Sequence, residues 1–187
     1  MRCIKFIIPI VFVLVTNITY AQYIDLSKAA IWVSSDKKIP LDKPVQVLRE
    51  EIVKRTQLLL PVVTKHPDEG QPVIYILTDD RESKLPKALR ELLNTVAVPG
   101  NEGFRLIVLK QQNAVLIIAR DARSVLYGVG RFLRKADMRP GALLLPENLV
   151  LSTAPKYPIR GHQLGYRPKT NSYDAFSVKQ FDQYIRD

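Results

Sequence analysis

The chain has 187 residues, one cysteine, two histidines and a formal net charge of +10. That length suits one ordinary domain with a little left over. The basic residues are scattered, with no aromatic-interleaved stripe, which argues against nucleic acid and for a solvated basic surface.

Arg2 and Lys5 open the chain with positive charge, and Phe6 to Val15 is an apolar run. Thr19-Tyr20-Ala21 then places small residues ahead of a cleavage point. This pattern predicts a secretory signal over 1–21, cut before Gln22, and export to the periplasm or beyond. The apolar run is too short for the about 20 residues that span a bilayer, so no stable membrane insertion is expected. Cys3 precedes the run and cannot be a lipobox cysteine. The exported part therefore has neither a disulfide, a thiol nucleophile nor a thiolate metal site.

Ile24 to Ser34 reads as a first strand around Ile31-Trp32-Val33. Asp42-Lys43-Pro44 reads as a helix start with Asp42 as N-cap. Val45, Leu48, Ile52 and Leu59 follow at helical spacing, and Pro61 closes the helix. After a loop at 66–70, Val73 to Leu77 is a short apolar strand. Pro86 to Val96 reads as a short helix with Leu89, Leu92 and Leu93 as its buried stripe. Phe104 to Leu109 and Ala114 to Ala119 have hairpin spacing. The second of these is apolar on both faces and should be central.

Asp121 caps the next helix, in which Val125, Leu126, Val129, Phe132, Leu133 and Ala136 form an amphipathic stripe. Arg139-Pro140-Gly141 should end it. Leu143 to Leu145 and Leu149 to Leu151 read as short strands, and residues 154–158 as a linker stiffened by Pro155 and Pro158. The predicted fold class is α/β (α+β). It is a two-layer sandwich of a mixed sheet with two long helices on one face, spanning 22–153.

Gly128-Val129-Gly130 is not a phosphate loop, because Leu133 replaces the third glycine and the pair sits inside a helix. Close helix–sheet packing explains it. Asp79-Asp80 point to opposite faces of a strand end and precede Arg81, which fits a turn with a local ion pair. His66 has no partner at ligand spacing. The sequence thus predicts no catalytic residue of its own, no metal site and no cofactor.

The stretch "PIRGHQLGYRP" (158–168) differs. Extended, it would put Arg160, His162 and Leu164 on one side. Arginine beside histidine on one face suits a polar ligand, and Gly161 lets another group approach the backbone. A solvated edge strand after a linker fits equally well. Further on, Ser177 with Gln180 make a capping box, and Phe176 with Phe181 a hydrophobic staple. A strand, a loop and a short helix at 154–187 read as the opening unit of something larger.

"DARSVLYGVGRFLRKA" (121–136), followed by "PKYPIRGHQLGY" (155–166), resembles exported glycoside hydrolases of the beta-hexosaminidase and alpha-glucuronidase type. The resemblance implies a small N-terminal α/β domain before a (β/α)8 catalytic barrel. It implies that Arg160 opens the first barrel strand and grips a sugar. His162 is not part of the family pattern; its place two residues on, on the same face, makes it the second substrate-binding candidate. The paired carboxylates of such enzymes lie on later barrel strands, and a barrel needs about 250 residues. The resemblance therefore implies a truncated barrel here, a non-catalytic fragment, and a glycan or oligosaccharide as the partner of the full enzyme. A stand-alone exported carbohydrate- or partner-binding module is the alternative.

Overall fold

The computed structural model describes residues 22–34, 40–68, 70–161 and 176–186. The expected signal at 1–21 and the residues His162 and Leu164 lie outside them. In chain order the elements begin with β1 (Tyr23–Asp25), β2 (Ala30–Val33), α1 (Asp42–Thr56), β3 (Val62–Val63) and β4 (Val73–Thr78). A 3-10 turn (Asp79–Lys84), α2 (Lys87–Leu93), β5 (Phe104–Leu109), β6 (Ala114–Ala119) and α3 (Ala122–Lys135) follow. The last are β7 (Asp137–Arg139), β8 (Ala142–Pro146), β9 (Val150–Thr153) and α4 (Val178–Arg186).

The main sheet runs β3-β2-β4-β6-β5-β9. β2 is parallel to β3 and β4, and β4 to β6, whereas β5 is antiparallel to both β6 and β9. The sheet is thus mixed, and β6 is interior, as its two apolar faces require. Strand alternation sorts its side chains. Ile74, Ile76, Leu106, Val108, Val115 and Ile117 join one core with the long helices α1 and α3. Val73, Tyr75, Leu77, Ile107, Leu116 and Ile118 join a second with Leu85, Leu89 and Leu93.

The second core corrects the two-layer expectation, since Leu85 and α2 form a thin third layer. Both long helices do share one face. On α3, Val125, Val129, Phe132 and Leu133 are buried. Each contributes about 1.5–3 kcal/mol, which outweighs the roughly 1 kcal/mol that each mid-helix glycine costs.

Several local expectations change. Ile24 to Ser34 holds two strands in different sheets. The Ser27 N–H donates to Asp25 Oδ1 at 2.8 Å and turns the chain between them. β1 pairs with β8, and β8 with β7, in a small antiparallel sheet whose Ile24, Leu143 and Leu145 enter the main core. Asp42 is the first helical residue, not the cap. Leu41 takes that place without a side-chain bond, and Asp42 faces the positive end of the helix. α1 ends at Thr56 because Gln57 adopts the left-handed conformation, so Leu59 falls beyond it and is 72% exposed. Leu92 likewise turns outward on α2. α3 stops at Lys135, and residues Asp137–Arg139 pair as β7. Pro140-Gly141 makes the β7–β8 turn, with Gly141 at φ +78.

α4 carries the cap that its sequence announces. The Ser177 N–H donates to Gln180 Oε1 at 2.8 Å, and the rings of Phe176 and Phe181 lie 5.4 Å apart. The helix lies beside α1, where Arg186 meets Glu50 at 2.7 Å and Lys54 meets Gln183.

Candidate functional site

The turn ahead of β5 is tight for a specific reason. The Gly103 N–H donates to the Gly100 carbonyl at 3.0 Å. A β-carbon on Gly103 would stand 2.7 Å from the Thr153 carbonyl oxygen, so the turn is pressed against the end of β9. Glu102 sits in this turn at φ +58, a backbone region that costs a non-glycine residue about 1–2 kcal/mol. The strain aims its carboxylate at the segment leaving β9.

There Glu102 holds two arginines. Arg123, from the first turn of α3, lies 3.2 Å away, and Arg160 pairs from the linker side. Arg160 also donates to the Tyr157 carbonyl and faces the Tyr127 hydroxyl. The hydrogen bond from Arg160 holds the Glu102 carboxyl below the usual carboxylate range, and the same bond raises the arginine. A carboxylate held ionised in this way has no proton to give near neutral pH, so Glu102 does not suit general acid work.

Between α3 and the linker opens a cleft of about 450 Å³, lined by Glu102, Tyr127, Arg131, Arg134, Pro155 and Arg160 among others. Arg123, Tyr127, Arg131 and Arg134 fall at i, i+4, i+8 and i+11, one face of α3. Among the described residues Arg131 and Arg134 have no carboxylate partner. The cleft therefore has an excess of arginine over carboxylate, next to a half-exposed tyrosine ring.

The residues singled out from sequence fall as follows. Arg160 is in the cleft wall, on a stretch in which residues 158–161 belong to no strand. His162 lies outside the described residues. Asp79 and Asp80 make a turn, as read: Asp80 bonds Arg81 at 3.1 Å, while Asp79 accepts from Arg105 at 3.0 Å. Arg105 is 2% exposed and binds Glu82 as well. His66 stacks on Trp32 at 4.9 Å, with its Nε2 3.0 Å from the Lys84 carbonyl oxygen. No group of three or more His, Cys, Asp and Glu stands close enough to hold a metal among the described residues, and no helix there is long and apolar enough to cross a membrane.

Sequence reading missed Glu102, Arg131 and Arg134. Their signal was present in the four-residue polar period along α3 and in the Asn101-Glu102-Gly103 turn cluster. Neither indicates that the two meet the linker.

No family model and no curated protein sequence matches the chain. Solved structures do. CpGH84B aligns with 81% of this chain at 16% identity and a TM-score of 0.53, over 23% of its own length. The fold is one found in glycoside hydrolases. The GH20 beta-N-acetylhexosaminidase from Streptomyces coelicolor A3(2) aligns with 70% of this chain at 21% identity and TM-score 0.44, over 23% of its length. The GH115 4-O-methyl-alpha-glucuronidase BtGH115A aligns with 57% at 12% identity and TM-score 0.39, over 13% of its length. This chain thus spans under a quarter of each of these structures.

Proposed function

We propose that the chain is the N-terminal, non-catalytic part of an exported glycoside hydrolase acting on O-glycosyl bonds of polysaccharides or glycans. The observation that carries this is the fold likeness over 81% of the chain to a glycoside hydrolase, of which it matches only 23%. In this reading residues 22–153 are the α/β domain and 154–187 the linker and the first strand and helix of a (β/α)8 barrel. Arg160 and His162 face the glycan in the full enzyme, and the catalytic carboxylates come from chain beyond this sequence. An arginine suits the role because its planar fork fixes two acceptors at once.

The test is turnover. Residues 22–187 should hydrolyse no aryl glycoside; hydrolysis that a single carboxylate substitution abolishes overturns the reading. The Glu102–Arg160 pair favours a second reading, a stand-alone exported binding module in which Arg160 closes the domain. The coding sequence downstream of Asp187 separates the two: a barrel frame supports the first, and a stop followed by an unrelated gene the second.

A further inference from the structure

We propose that the cleft between α3 and the linker binds the carboxylate groups of an acidic, uronate-bearing glycan. The choice of a glycan rests on the carbohydrate reading above, but its test is separate, because binding is read on this chain without turnover.

Charge comes first. One carboxylate, Glu102, is divided between Arg123 and Arg160. Arg131 and Arg134 stand on the same helix face, line the same cleft and lack a carboxylate among the described residues. Guanidinium forks match carboxylates two bonds at a time, so two open arginines suit an anion with paired oxygens.

Shape and surface come second. A volume of about 450 Å³ lies in the range of small-ligand pockets, in a groove that opens broadly to solvent. Tyr127, 38% exposed, and Pro155 supply apolar surface beside the arginines. A uronate residue has both parts that such a wall recognises: a carboxylate for the forks and a ring face of C–H groups for the tyrosine. A free inorganic anion would use only the first.

The experiment titrates purified residues 22–187 with oligogalacturonate and with a neutral dextran oligomer of similar length, at about 0.15 M salt, where exposed charges are screened beyond roughly 8 Å. Oligogalacturonate should bind and dextran should not. The double variant R131Q/R134Q should weaken oligogalacturonate binding at least tenfold. K28Q/K65Q removes the same charge from exposed sites elsewhere and should weaken it less than threefold. Should the double variant lose its cooperative thermal transition, R134Q alone carries the comparison, with at least a threefold loss expected. Absent binding by the parent, equal losses in both double variants, or competition by inorganic sulfate as strong as by free galacturonate would each overturn the proposal.

Discussion

A β-carbon placed on Gly128 would stand 2.7 Å from Cγ2 of Ile117 and 3.5 Å from Phe104. At this glycine α3 lies too close to β6 to leave room for a side chain. Its neighbour Gly130 is different: a β-carbon there meets only the Arg134 guanidinium at 3.6 Å. Gly128→Ala should destabilise by about 1–3 kcal/mol through overpacking. Gly130→Ala should stabilise by up to about 1 kcal/mol through helix propensity. Denaturant unfolding of the two single variants reads the contrast, and equal effects would show that neither glycine is a packing residue.

Asp121 caps the helix that carries the arginine stripe. Its Oδ1 accepts from the Ser124 N–H at 2.8 Å and from the Ser124 hydroxyl at 3.0 Å. Burial pushes this carboxyl up, but the Ser124 bonds outweigh burial and leave it below its ordinary value. A folded-state value lower than the unfolded one adds stability above the ordinary carboxylate range, lost as pH falls through the lowered value. Asp121→Ala should cost about 1 kcal/mol at neutral pH and flatten the acid limb of the stability curve. Chemical unfolding across pH measures both.

Glu102→Gln should free the linker rather than unfold the domain, because exposed ion pairs contribute little to global stability. Trypsin should then cut faster after Lys156. Acid should likewise free the linker of the parent protein, read as faster hydrogen exchange across 156–161 after correction for the intrinsic pH dependence. Arg160 depresses the Glu102 carboxyl, so the pair holds above the usual carboxylate range and opens as pH falls through the depressed value. Cleavage that ignores the substitution, together with exchange that ignores pH, would show that the pair does not anchor the linker.

Arg105 is a buried cation whose partners, Asp79 and Glu82, both belong to the 3-10 turn after β4. Arg105→Met leaves two carboxylates without their counter-charge and should cost about 3 kcal/mol. Adding Asp79→Asn and Glu82→Gln should recover most of that loss. Thermal unfolding of the single and triple variants tests it; no recovery in the triple would mean that the arginine stabilises through its alkyl packing instead.

In a full-length enzyme carrying the same stretch, the change equivalent to Arg160→Lys should lower kcat/KM at least tenfold, about 1.4 kcal/mol of transition-state binding. Thermal stability should hardly move. Unchanged activity, or a loss that tracks unfolding, would make the arginine a structural partner of Glu102 and nothing more.

The regular parts of the fold were legible from periodicity. β5 and β6 were read to the residue, and the Asp121 cap and the Ser177–Gln180 box were plain, because each is decided within a few residues of chain. Where tertiary pairing decides, the reading failed. Ile24 and Ile31 look like one strand, yet the first pairs with Leu145 and the second with Ile74. Residues 137–139 look like a helix end because nothing local announces that β8 will pair with them. The cleft was hidden for the same reason. Glu102 and Arg160 are far apart in sequence, and only the β5–β9 pairing, with Phe104 opposite Thr153, brings the turn and the linker together.

The small sheet joins the two ends of the domain. Tyr23 pairs with Pro146, and the Glu147 N–H donates to the Gln22 carbonyl at 3.0 Å. Synthesis delivers these partners in the least convenient order, since the first strand made must wait for one of the last. Until residue 146 has left the ribosome, Ile24 and Leu26 lack Leu143 and Leu145 as core partners. The nascent chain can form α1 and the β4–β6 centre early, but this end of the core stays open. A ribosome stalled before Ala142 should therefore display a protease-sensitive N-terminus, and one stalled well after Thr153, with the domain clear of the exit tunnel, a closed one.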